Sequence, residues 1–330
     1  MSWFSALTGI ESETPQSVGE LLTVEGSCLI SAANSRRFEI GTLTTPSLSE
    51  LRKTDLPCDG RISVQEIVAD VQNLHVLPEN SGAAFQVASQ FNLLEMAGPS
   101  LIPELGVGRY ENDWTQGPAC AIACGAGTIY RNYFAPIRDG MGQSIDRQID
   151  CLEDIGKALN NHKNAYWEMK NGYALPTPRG LLALERTLTT MPQNERDRLR
   201  SLLRIGLHAD TEVTLRNSGH RVTQIYCSAM PVAYGVGPAE SWQEIATLVL
   251  EAAYEATLLA AVENASRTGN NRVFLTMLGG GAFGNRDQWI IEAVTRAIGL
   301  VNQSNLEIYL VSYGTPSAVA NSIVTQCLDD

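Results

Sequence analysis

Two rhythms of apolar and polar residues run along this chain. Short apolar runs at 61–68, 83–89, 222–233, 273–278 and 306–312 predict strands. Residues 242–265, and the segment carrying Trp289, Ile290, Ala293, Val294, Ala297 and Ile298, have apolar side chains at helical spacing. Ser241 with Glu244 predicts a capping box for the first of these helices. Thr115 predicts the cap of another, with Pro118 in its early turn and Gly125 and Gly127 at its end. Residues 128–135 read as a strand, 147–165 as a helix, and 164–169 as a strand before a turn at Gly172. Residues 179–205 read as helical, broken near Met191 and Pro192. Strands and helices alternate through the second half, which predicts an α/β domain with a mixed sheet under helices. We divide the chain into an N-terminal elaboration, 1–60, packed on a core domain, 61–330, with a helical insert near 140–215.

The most informative stretch follows the apolar run that ends at Leu278. Gly279, Gly280, Gly281, Ala282, Phe283, Gly284 and Asn285 stand between a strand and a helix start. Glycine lets an anion approach the backbone closely, and a helix start favours negative charge. A phosphate cradle and a tight turn without ligand both fit this pattern. A second turn of the same kind lies at 115–120, and together the two have the parts of a diphosphate clamp.

Composition narrows the field. The 330 residues are 44% hydrophobic and 18% charged, which suits a globular domain. The net charge of −12 and the lack of a Lys/Arg run disfavour a nucleic-acid partner. Seven cysteines have no metal-ligand spacing and read as free thiols in a reducing compartment. No metal or cofactor is expected. Glu244, Glu251 and Glu255 in the longest apolar helix argue against a membrane span, and the N-terminus lacks a signal-peptide pattern. A cytoplasmic location is the expectation.

Against this background the chain resembles the macrodomain family. Ala69-Asp70-Val71-Gln72 stands where that family has an acid after a strand. Ala88-Ser89-Gln90-Phe91-Asn92 ends, like the family's strand, in Asn. Thr115 to Ile122 supplies the glycine-containing helix start, and Leu278 to Asn285 the late glycine loop. That loop also looks like the one in poly(ADP-ribose) glycohydrolases. The resemblance covers 69–135 and 222–314. It departs from that branch in having no adjacent Glu pair, and from macrodomains in lacking an intact Asn-Ala-Ala-Asn.

The resemblance implies a three-layer macrodomain-like fold, a mixed sheet with helices on both faces. It implies ADP-ribose or an ADP-ribosylated protein as partner, and an ADP-ribosyl hydrolase as function. A non-catalytic reader and a different nucleotide-phosphate enzyme remain the alternatives. The ligand would meet Asp70 at its adenine, and Gln116, Gly117, Ala119, Cys120 and residues 279–285 at its diphosphate. Phe283 and Tyr313 would pack on its rings. Asn92 would position the distal ribose. Asp113 would activate water or stabilise an oxocarbenium-like transition state, with Glu104, Glu95 and Glu111 as rival acids. Each has a plainer reading: Asp70 and Asp113 as helix or turn caps, Asn92 as a strand-end turn residue, Phe283 and Tyr313 as core lids. His208, Asp210 and Glu212 would share one strand face. Arg131 reads best as half of an internal ion pair.

Overall fold

The computed structural model describes residues 2–57 and 59–329. Cys58 lies outside the described residues, and Cys28, Cys120, Cys124, Cys151 and Cys227 form no disulfide. The centre is a seven-stranded sheet. Its strands are β1 (Thr42–Thr44), β2 (Ser63–Val68), β3 (Ala84–Ala88), β4 (Gly206–Glu212), β5 (Arg221–Cys227), β6 (Arg272–Leu275) and β7 (Glu307–Ser312). Their order across the sheet is β1-β4-β5-β3-β6-β7-β2. The five strands from β5 to β2 run parallel, and β4 and β1 add an antiparallel edge. In an open sheet of this kind, ligands bind beyond the carboxyl ends of the parallel strands.

Alternation along β3 and β5 sends successive side chains to opposite faces. Phe85 stacks on His75 with ring centroids 3.8 Å apart, and His75 belongs to helix α1 (Val71–Val76). Gln86, one residue on, instead donates to Thr257 at 3.0 Å, within α5 (Gln243–Thr268). Tyr226 meets Arg131 of α3 (Gly125–Tyr133), while Cys227 contacts Thr257. Helices therefore cover both faces, giving three layers as expected. α1, α2 (Gln116–Ala123) and α3 lie on one face; α5, α6 (Asp287–Leu300) and α7 (Ala318–Asp329) lie on the other. α5 is long and apolar enough to cross a membrane, yet it is buried in the core, where each large apolar side chain contributes about 1.5–3 kcal/mol.

The N-terminal segment packs on the rest of the chain at several points. β1 extends the main sheet, and the three-stranded sheet of Leu22–Glu25, Cys28–Ser31 and Arg37–Glu39 closes a second core. That core joins Phe4, Leu22 and Leu29 to Leu94, Tyr110 and Ile129. Glu13 accepts from the N–H groups of Val107 (2.8 Å) and Gly108 (2.6 Å) and from Tyr133 Oη (2.8 Å). This pins the long loop between β3 and α2.

Several local expectations change. Residues 128–135 are mostly helical, because Gly125 and Gly127 open α3 and do not close α2. A Cβ on Gly127 would lie 2.4 Å from Thr211 Oγ1, so the helix rests directly on β4. Of 147–165, only Glu153–Ala158 is α-helical. The predicted break at Pro192 is present, between α4 (Pro178–Thr189) and the short helix Gln193–Arg200. The insert gives way at Gly206 to β4, a strand of the main sheet. α5 has no capping box; Glu244 accepts from Arg196 Nη1 at 2.8 Å. A bulge between His208 and Thr211 breaks the alternation of β4. His208 is thus buried, Asp210 (φ +57°) pairs with Arg267, and Glu212 accepts from the N–H of Glu39. The three do not share a face.

Candidate active site

The parallel strands end along one rim, and each hands a residue to the same cavity. Ala69 and Asp70 follow β2, Ser89 and Gln90 follow β3, Ala229 lies just beyond β5, Thr276 follows β6 and Tyr313 follows β7. The cavity has a volume of about 640 Å³, ample for a nucleotide-sized ligand.

One wall is the loop 276–285. Gly279 and Gly284 adopt left-handed φ of +75° and +70°. Asn285 clasps the loop, its N–H donating to Gly279 O (2.9 Å) and its Nδ2 to Met230 O (2.8 Å). Among the described residues, no acceptor meets the N–H groups of Gly281, Ala282 or Phe283. Three open donors in succession make an anion cradle. Opposite stands the start of α2, where helix geometry leaves the N–H groups of Gln116 and Gly117 open. The Gln116 side chain is otherwise engaged. It accepts from Ala88 N–H (2.9 Å) and donates to Gln86 O (2.7 Å), completing β3 where the shorter β6 has ended.

The acids differ in environment. Glu95 is buried, and Arg131 Nη2 meets both its oxygens at 3.2 Å. Burial raises the Glu95 carboxyl above the ordinary carboxylate range, against the pull of the Arg131 guanidinium and the Tyr110 hydroxyl. Arg131 is itself fixed: Nε donates to Leu93 O (2.6 Å), Nη1 to Tyr226 Oη (2.7 Å), and its plane lies 3.8 Å from the Tyr226 ring centroid. Asp113 lies nearer the surface, and its Oδ1 accepts from Thr115 N–H (2.9 Å) and Oγ1 (2.7 Å). Asp70 caps α1 through Gln72 N–H (2.8 Å) while also facing the cavity. With Glu111 these make four carboxylates among the described residues, none of whose Lys, Arg or His side chains lines the cavity. Among the described residues, no group of three His, Cys, Asp or Glu side chains is placed to hold a metal ion.

Aromatic rings complete the walls. Tyr173, Tyr234 and Phe283 pack with centroids 5.1–5.7 Å apart. Trp114 and Tyr313 stand at the mouth, 93% and 79% exposed. No other large hydrophobic residue described exceeds 59%. Unburied rings beside a cavity are platforms for a planar ligand.

Of the sequence candidates, Asp70, Asp113, Gln116, Ala119, Gly279, Gly281, Ala282, Phe283 and Tyr313 line the cavity. Gly117, Gly280, Gly284 and Asn285 shape its loops from behind, and Cys120 points into the core. Asn92 and Glu104 do not line it. Asn92 is buried beneath the Gly172 turn, donating to Gln148 Oε1 (2.9 Å) and accepting from Leu94 N–H (3.1 Å). Glu104 accepts from Ile145 N–H at 2.8 Å, holding a surface hairpin. Sequence reasoning missed Tyr173, Tyr234 and Trp114 as cavity residues, and it gave Glu95 only a rival's place. An unaccompanied Trp in a polar loop was the one available signal.

No family model and no curated protein matches the chain. Among solved structures it is similar to poly(ADP-ribose) glycohydrolase from Thermomonospora curvata, at 13% identity and TM-score 0.47 over 98% of each chain. The same enzyme bound to the inhibitor ADP-HPD gives 14% and 0.46, again over 98% of each chain. Poly(ADP-ribose) glycohydrolase from Deinococcus radiodurans in complex with ADP-ribose gives 11% and 0.42, over 87% of this chain and 94% of that one.

Proposed function

We propose that the cavity binds ADP-ribose and that the protein hydrolyses the bond joining ADP-ribose to a modified macromolecule. The observation that carries this reading is one cavity on the strand-end rim that joins open N–H groups, exposed aromatic platforms and a buried carboxyl. A diphosphate suits the cradle of 281–283 and the start of α2, because backbone dipoles favour an anion without bringing a cation. A nucleobase suits Tyr313 at the end of β7, with Asp70 beside it to accept from an exocyclic amino group.

The chemistry uses two carboxyl groups. Glu95, whose raised pKa favours the protonated form, gives its proton to the departing oxygen or nitrogen as the bond to the anomeric carbon breaks. Asp113 takes a proton from water, whose oxygen forms the new bond to that carbon. The bond pair leaves with the protonated group, and ADP-ribose is released. Arg131 holds Glu95 in place.

Calorimetric titration with ADP-ribose against ADP, ribose phosphate and NAD tests the binding step. Release of ADP-ribose from an ADP-ribosylated protein tests the reaction. Binding without release on any conjugate would favour the reader, a reading supported by Asp113 spending one oxygen on Thr115 and Glu95 both of its own on Arg131. No ADP-ribose binding at all would overturn the proposal.

A further inference from the structure

A second cavity of about 260 Å³ adjoins the first, and the two share Trp3 and Ile122. Its chemistry is the reverse of its neighbour's. Arg36 and Arg216 line it, and no carboxylate does. Arg36 is partly spoken for: Nη2 donates to Asn217 Oδ1 (2.8 Å), its plane lies over Phe38, and Glu212 feels its charge. Arg216 has no acidic partner within ion-pair distance among the described residues, in a chain whose net charge is −12. The backbone is set to present it, since Arg216 and Asn217 both hold left-handed φ, +54° and +55°. Strained non-glycine positions of this kind gather at ligand sites. Trp3 lines both cavities, and its Nε1 is buried and donates to nothing. Thr214 is engaged at the floor, accepting from Gly125 N–H at 2.9 Å.

The cavity is therefore rich in donors and positive charge and poor in acceptors. We infer that it is a phosphate subsite, in which Arg216, Arg36 and the Trp3 indole N–H take a phosphate group. That group is either free or tethered to the nucleotide of the main cavity. The tethered form rests on the proposed function, and the free form does not. Arginine suits the role because its planar fork matches phosphate oxygens.

The test is an NMR titration of the whole protein, labelled with ¹⁵N at its indole nitrogens, with inorganic phosphate. The Trp3 signal is assigned by its loss in Trp3→Phe. A saturable shift of that signal is expected, abolished in Arg216→Gln and kept in Ala282→Pro, which removes a donor from the main cavity. No saturable shift, or an unchanged one in Arg216→Gln, would overturn the subsite. A second arm compares ADP-ribose with ADP-ribose carrying a 2′-phosphate. If the group is tethered, the extra phosphate tightens binding about tenfold, as one charge-assisted contact allows, and Arg216→Gln erases the gain. Equal affinities together with a saturable phosphate shift assign the site to free phosphate. ADP-ribose failing to bind, with the phosphate shift intact, would sink the proposed function and leave the subsite standing.

Discussion

Gly117 lies so close above the carbonyl of Ala88 that a Cβ added to it would stand 1.9 Å from the oxygen. The start of α2 is thereby seated on the end of β3, and both belong to the rim of the cavity. Gly117→Ala is expected to cost about 1–3 kcal/mol, the usual penalty of overpacking, and to push the α2 N–H groups away from a ligand. Gly299→Ala is the control, because a Cβ there meets nothing within 4 Å and the residue does not line the cavity. Urea denaturation and ADP-ribose titration of both variants check this. A Gly117→Ala protein as stable and as tight-binding as the parent would contradict it.

Trp114 and Tyr313 contribute little to the fold and should contribute much to binding. Alanine at either position is expected to leave stability within about 0.5 kcal/mol. It should weaken nucleotide affinity about tenfold, in line with the stacking energy of a base on a ring. Calorimetry and thermal melts of the two variants separate these effects, and unchanged affinity in both would remove the platforms from the site.

Glu95→Gln and Asp113→Ala should each lower turnover by about 100-fold or more while sparing ADP-ribose binding. Asp113→Ala should also cost about 1 kcal/mol through the hydrogen bonds lost from Thr115. Arg131→Ala differs in kind. It removes the buried hydrogen bonds to Leu93, Tyr226 and Glu95 at once and is expected to destabilise the fold by about 3–5 kcal/mol. Single-turnover release assays and denaturation curves distinguish the outcomes. Full turnover in Glu95→Gln would return that residue to a purely structural role.

Two buried histidines weaken the fold in acid. Burial lowers His75 to about 4 and His208 to about 3. As pH falls below about 6.5 the unfolded chain takes up these protons and the folded chain does not. Their contribution is thus complete above about pH 6.5 and is lost as pH falls toward 4 and 3. The slope is at most about 1.4 kcal/mol per pH unit for each histidine. Glu95 and Asp150 act in the opposite sense, because burial raises both and the folded state holds their protons longer as pH rises. As pH falls from 7 to 4, the unfolding free energy of His208→Leu should gain on that of the parent protein. A slope unchanged by that substitution would count against His208 as a source.

The sheet was legible because its strands are short apolar runs bounded by turns, and the glycine loop because left-handed positions favour glycine. Local pattern failed where tertiary contact decided the outcome. Residues 128–135 look like a strand, yet small Gly125 and Gly127 allow a helix to lie on β4. The β4 alternation failed at a bulge that no residue announces. Asn92 ends its strand as the pattern asks, but a turn from a distant part of the chain covers it. Tyr173 and Tyr234 reach the cavity from segments far apart in sequence, and no local spacing brings such residues together.

Among the described residues, no Lys, Arg or His lines the main cavity, and that shapes how it responds to ionic strength. A site that grips by guanidinium or ammonium groups weakens as salt screens them. Here an anion would be held by short-range dipoles of the backbone, among carboxylates that repel it at longer range. Added salt screens that repulsion and leaves the dipoles in place. Binding in the main cavity should therefore hold steady or tighten as salt rises, whereas a grip through Arg36 and Arg216 would fade.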